Sequence, residues 1–192
     1  MSQTITEPLG VPQARRWSRS EYYALTESGY FQGERVELIE GEIVKMPAPN
    51  EPHSWSVMLL TRQLNLQMSA THIVRVQLPL ALGQTSDPEP DVSIHPLSVL
   101  AGPMTRPISA DLVVEVSDSS LLYDQTVKLA LYAEHQIAEY WIINLISRQL
   151  EVYRSPNPAT QKYSEQLILR PGQTVSPVCC PNATIYVKDM LP

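Results

Sequence analysis

DLVVEVSDSS, residues Asp111–Ser120, sets a carboxylate in the middle of a β-branched run. Strand alternation puts Leu112, Val114 and Val116 on one face and Asp111, Val113, Glu115 and Ser117 on the other. An acid at such a position is costly to bury unless it is paired, hydrogen-bonded or bound to a metal. Glu115 therefore has two readings. Either it lies on an edge strand, facing water or salt-bridged to an arginine, or it belongs to a buried polar site.

A partner for it lies upstream. In PEPDVSI, Pro88–Ile94, Pro90 stands between Glu89 and Asp91 and forbids a helix start inside the pair. Asp91 then sits at the mouth of a short strand and shares a side with Ser93, away from Val92 and Ile94. It reads as a turn cap after Pro90 or as the first acid of a site. If the two strands are neighbours, Asp91 and Glu115 converge. Two carboxylates without a nearby Cys or His set suit a hard cation such as Mg²⁺ or Mn²⁺. Such an ion holds a phosphate and activates a water.

The chain has 192 residues, 43% hydrophobic and 18% charged, which fits one domain with a real core. Residues 1–17 read as a flexible tail and 18–192 as the domain. The tail has no apolar centre of the signal-peptide kind, and no run approaches the length of a membrane helix. Cys179 and Cys180 are the only cysteines and are adjacent, which excludes a disulfide framework or a zinc cluster and speaks for a reducing, cytoplasmic setting. The net charge of −6 argues against non-specific nucleic-acid binding. No GxGxxG, Walker or GxSxG motif is present.

Along the chain, Ser18 or Ser20 caps a helix over Glu21–Glu27 that Gly29 ends. VELIEGEIVKM reads as a hairpin about Glu40-Gly41, with Glu37 pointing away from Leu38. HSWSVMLLTRQLNLQMSA carries a helical stripe of Val57, Leu60, Leu64 and Met68. IVRVQLPLAL, DVSI and ADLVVEVS follow as strands, then SLLYDQTVKLALYAEH as a second helix. AEYWIIN and QLEVYR make a hairpin, and KYSEQLIL and TIYV close the chain. The expected fold is α/β, or mixed α+β, with a central mixed sheet flanked by helices.

Five segments in this order, VELIEGEIVKMPAPNEPH, EPDVSI, DLVVEVSDSS, YDQTVKLALYA and IAEYWIINL, resemble the bacterial Uma-type family of restriction-endonuclease-like proteins, within the PD-(D/E)XK nuclease superfamily. The resemblance runs from about Val36 to Tyr153. It implies a restriction-endonuclease-like core and Mg²⁺-dependent hydrolysis of phosphodiesters, most simply in DNA. It also implies Asp91 and Glu115 as metal ligands and Lys128 as the lysine of the site. The superfamily's strand lysine would fall on Ser117, so that form of the motif is broken. A helix folding back from about Ser120 travels about 12 Å by Lys128 at ~1.5 Å per residue, which lets its arm return toward the strand.

Each residue keeps a second reading. Lys128 follows Asp124 by four positions, the spacing of a surface ion pair. Glu37 lines the site as a third acid or forms the polar side of the hairpin. His53, expected just before the first long helix, touches substrate phosphate or caps that helix. Tyr132 leans over the site or packs in the core, and Glu89 assists the metal or faces solvent. Arg15, Arg16, Arg19, Arg62, Arg75 and Arg106 are candidates for a substrate-facing patch. Because both DNA strands must be cut, a homodimer is expected. Two rivals remain: a nuclease fold kept without catalysis as a DNA- or protein-binding module, and a metal-independent carboxylate-pair hydrolase acting on a sugar.

Overall fold

In the computed structural model, which describes residues 13–102 and 104–192, the alternating stretches become the centre of a sheet. The elements in chain order are α1 (Arg19–Glu27), β1 (Val36–Ile39), β2 (Glu42–Lys45), α2 (Glu51–Met68), β3 (His72–Val76), β4 (Val92–Pro96) and β5 (Leu112–Ser117). There follow α3 (Leu121–Tyr123), a π turn (Asp124–Lys128), α4 (Leu129–Glu134), β6 (Glu139–Asn144), β7 (Gln149–Asn157), β8 (Lys162–Leu169), β9 (Thr174–Val175) and β10 (Ile185–Tyr186). Short 3₁₀ turns cover Leu97–Ala101 and Val187–Met190. Among the described residues, no helix is long and apolar enough to cross a membrane.

Six strands make the main sheet in the order β3-β4-β5-β6-β7-β8. Only β5 and β6 run parallel, Val113 opposite Tyr140 and Glu115 opposite Ile142. A parallel pair requires a crossover, and the segment from Leu121 to Glu134 supplies it. That requirement folds the helix bearing Lys128 back across the strand bearing Glu115.

The strand-face reading holds. Val92, Ile94, Leu112, Val114, Val116 and Trp141 pack against the α2 stripe of Val57, Leu60, Leu64 and Met68. On the other face Val113, Tyr140 and Ile142 meet Leu131, Tyr132 and Ile39. Tyr140 and Trp141, adjacent on β6, are both fully buried, one in each layer. The outcome is a mixed sheet between helical layers.

Local signals set the edges. Ser18 accepts from the Glu21 amide, while the Glu21 carboxylate accepts from the Ser18 amide, a reciprocal cap on α1. The hairpin turns at Glu40 and Gly41, both at positive φ. At Gly41 a Cβ would stand 2.7 Å from the Arg16 Cβ, because the incoming chain runs against the turn and Trp17 N–H donates to the Gly41 carbonyl. Of the expected tail, residues 1–12 lie outside the described residues, and residues 13–17 lead into this contact.

Three boundaries differ from expectation. The strand after α2 stops at Val76, where Gln77 turns the chain at φ 48; Leu80 and Leu82 enter the second layer from a loop. The helix carrying His53 starts earlier, at Glu51, with Asn50 as its cap. TIYV contributes only Ile185–Tyr186, which pairs with β9 in a ribbon apart from the main sheet.

Candidate active site

Register brings the two acids together. Val92 lies opposite Val114 in the antiparallel β4-β5 pair, so the residue before Val92 meets the residue after Val114. Asp91 N–H donates to Glu115 Oε2 at 3.2 Å, and Val116 N–H donates to Asp91 Oδ2 at 2.9 Å. Their exposures, 7% for Asp91 and 4% for Glu115, remove the solvent-facing readings.

The lysine arrives from the crossover. Lys128 is 1% exposed, and its Nζ donates to Glu115 Oε1 at 2.9 Å and to Glu37 Oε1 at 3.2 Å. One turn on, the Tyr132 hydroxyl donates to the same Glu115 oxygen at 2.8 Å. The surface pairing of Lys128 with Asp124 is not found. Asp124 is itself buried and accepts from the hydroxyls of Ser117 and Ser120, each at 2.7 Å. Ser117, at the place of the missing strand lysine, thus anchors the helix that brings a lysine in. The π turn between Asp124 and Lys128 widens the helix where both side chains must point inward.

Glu37 lines the site rather than the outer side of the hairpin, with 3% exposure. Its Oε2 lies 3.0 Å from Lys128 Nζ but outside hydrogen-bonding geometry, and it is buried without a hydrogen-bond donor. His53, in the first turn of α2, donates from Nε2 to Asp91 Oδ2 at 3.0 Å, while its Nδ1 is buried without a hydrogen-bond partner. The helix cap is Asn50, whose side chain accepts from His53 N–H and whose amide also donates to Asp118. Gln77 adds a 3.3 Å bond to Asp91 Oδ1. Glu89 is half-buried at the rim.

Glu37, His53, Asp91, Glu115, Asp124 and Lys128 line an open cleft of about 560 Å³, solvent at its mouth included, whose walls also include Glu89, Asn50, the loop Met46–Pro49, Arg35 and the turn Asp118–Ser120. Sequence reasoning missed Arg35, Asn50 and Gln77, which carry no spacing signal because loops deliver two of them. The proposed arginine patch does not form there, since none of its six members lines the cleft. Arg15 pairs with Glu21, Arg16 with Glu42 and Arg106 with Asp87.

The electrostatics are those of an acid surplus. Burial pushes the Glu115 carboxyl up to about 8; Lys128 opposes this, while Asp124, Asp91 and Glu37 add to it. Burial also raises Glu37 and Asp124 against the same lysine. Burial would lower the Lys128 ammonium, but the charges of Glu115, Glu37 and Asp124 hold it well above its ordinary value. Asp91 differs: burial would raise it, yet the bond and attraction from His53 and the Val116 amide keep it below the usual range. Glu37, Glu115 and Asp124 therefore share one lysine, and Asp91 stays ionised beside them.

Replacing His53 with alanine should raise the Asp91 carboxyl toward its ordinary range, since the bond and attraction that hold it down are lost. NMR titration of the Asp91 carboxyl in wild type and variant would check it. An unmoved Asp91 would mean that the Val116 amide alone holds it.

A family model described as "Uma2: Putative restriction endonuclease" matches residues 19–188. Among solved structures, the chain is similar to a crystal structure described as "a putative nuclease belonging to DUF820" from Anabaena variabilis ATCC 29413. The two share 18% identity, with 90% of this chain and 96% of that chain covered and a TM-score of 0.70. No curated protein matches the chain.

Proposed function

The chain belongs to the Uma2 family, and from that premise we propose that it is a divalent-metal-dependent endonuclease hydrolysing phosphodiester bonds in DNA. The observation that carries this reading is the bonded set of Asp91, Glu115 and Lys128, two acids on adjacent strands and a lysine from the crossover.

The residues fit a hard cation. Their donors are carboxylate oxygens in surplus over buried cations, Glu37 Oε2 has the Lys128 ammonium beside it without an aligned hydrogen bond, and burial with neighbouring acids raises Glu115. Asp91 and Glu115 would hold Mg²⁺ or Mn²⁺, and among the described residues no third Cys, His or carboxylate joins them at metal-ligand spacing. Two carboxylates with the remaining positions left to water and phosphate is the usual Mg²⁺ arrangement. The ion supplies Lewis-acid stabilisation of the phosphate and a lowered pKa for bound water.

The chain's own groups do the rest. Lys128 offsets charge building on the phosphate and restrains Glu115 and Glu37. His53 and the Val116 amide hold Asp91 ionised and oriented. The N-terminus of α2, with Asn50 and His53 on the cleft wall, offers a positive dipole end to an anionic backbone despite the net charge of −6. Arg35, exposed at the mouth, adds a cation there. Two copies would cut both strands, so a homodimer is the working form in this proposal.

The test is relaxation of supercoiled plasmid by the full chain with Mg²⁺, with EDTA, and as Asp91→Asn. Nicking should require the metal and vanish in the variant. A wild type that neither binds Mg²⁺ nor nicks would favour the rival reading, a nuclease fold retained for binding. That rival takes its support from Ser117 at the strand position and from the acidic net charge.

A further inference from the structure

Away from the cleft, His72, Asp111 and Cys179 bring a ring nitrogen, a carboxylate oxygen and a thiol sulfur within 4.8 Å of one another. They come from three separated segments: the first residue of β3, the residue before β5, and the loop between β9 and β10. Asp111 lies four residues from Glu115 along the strand, about 13 Å at ~3.3 Å per residue, so this cluster stands at the far end of β5 from the cleft. We propose that these three side chains form a second metal site that takes a zinc-type cation.

The histidine's geometry carries the argument. Thr71 Oγ1 donates to the Met68 carbonyl at 3.3 Å and lies 2.7 Å from His72 Nδ1. The contact with Thr71 holds Nδ1 and turns Nε2 toward Asp111 Oδ2 at 3.6 Å, beyond hydrogen-bond reach. When Nε2 binds a cation, Nδ1–H donates to that hydroxyl, which supplies the outer partner usual for a metal-ligating histidine. Ligand atoms around tetrahedral zinc stand about 3.3–3.8 Å apart, given bonds of ~2.0–2.3 Å. The His72–Asp111 separation already falls in that range, and the Cys179 sulfur lies within 4.8 Å of both ligand atoms.

The loop bearing Cys179 is held in place. Val178 N–H donates to the buried Glu139 carboxylate at 2.6 Å, Cys180 N–H to the Pro177 carbonyl at 3.0 Å, and Arg154 to the Ser176 carbonyl at 2.7 Å. Thiolate and imidazole select a borderline cation over Mg²⁺. Asp111 and Cys179 are partly exposed, which leaves a water the fourth position. Binding displaces the Cys179 thiol proton to solvent, and the bound ion ties the last loop to the starts of β3 and β5. Read from the sequence, two adjacent cysteines exclude a zinc cluster; the site proposed here needs only one of them, brought to a histidine and an aspartate far upstream.

Cobalt is the probe. EDTA-treated full-length protein titrated with Co²⁺ should develop a thiolate-to-cobalt charge-transfer band at one equivalent, removed by added Zn²⁺. The band should persist in Cys180→Ser and in Glu115→Gln, which separates it from the cleft, and disappear in Cys179→Ser. Zn²⁺ should raise the Tm of the wild type and leave that of His72→Ala unmoved. A wild type without the band, or a band that survives Cys179→Ser, would overturn the proposal and leave His72 and Asp111 as an ion pair.

Discussion

Replacing Lys128 with methionine should destabilise the protein by about 3–5 kcal/mol at pH 8, the usual consequence of removing one partner from a buried ion cluster. The methionine fills much of the lysine's volume, so the effect is electrostatic rather than a cavity. Glu115 and Glu37 would lose their hydrogen bonds to Nζ, and Asp124 a nearby cation, with all three acids buried. Burial already raises each of them, and without the lysine each rises further.

The pH dependence follows from that direction. An acid whose folded pKa is raised binds its proton in the folded chain at pH values where the unfolded chain has released it, so stability falls as pH rises through that window. The variant's deficit should therefore shrink as pH drops from 8 to 5. Urea unfolding at the two pH values measures it. An equal deficit at both would show that the acids were already neutral around Lys128. Adding Glu37→Gln to Lys128→Met should recover part of the loss at pH 8.

How much of this was legible depended on the range of the interaction. Period-two alternation is local, so the faces of β4 and β5 were readable, and with them the meeting of Asp91 and Glu115. Lys128 was reachable because a parallel pair forces its crossover back over the strand. The family resemblance located it, and the bond to Glu115 shows how it arrives. The π turn was not legible: one extra residue in a turn is set by what the inward side chains find, here the Ser117 hydroxyl and two glutamates. His53 reads as lying just before the helix, whereas Asn50 is the cap and a Pro-containing first turn carries His53 inside it. The cluster of His72, Asp111 and Cys179 left no trace in spacing, since its members meet only after β3, β4 and β5 have paired and the last loop has docked.

Glu115→Gln should separate function from stability, and it is the sharper test of the cleft. The amide oxygen can still accept from Lys128 and Tyr132, so the helix stays where it is. Metal affinity should fall with the lost charge, and nicking by about 10²–10³-fold, the scale on which removal of one preorganised electrostatic group is felt. Stability should move the other way above pH 5. The wild-type carboxyl, pushed up to about 8 by burial, loses folding free energy as pH rises from its unfolded value toward 8. Glutamine does not titrate, so the variant's stability should flatten across that window. One cost opposes the gain: the amide nitrogen would face the Asp91 N–H that now donates to Oε2 at 3.2 Å. Urea unfolding of metal-free wild type and variant at pH 5 and pH 8, with nicking assays alongside, reads both effects. A more stable, inactive variant identifies Glu115 as an acid kept against its stability for what it binds. Full nicking activity in the variant would remove Glu115 from the metal site and leave Asp91 without its partner.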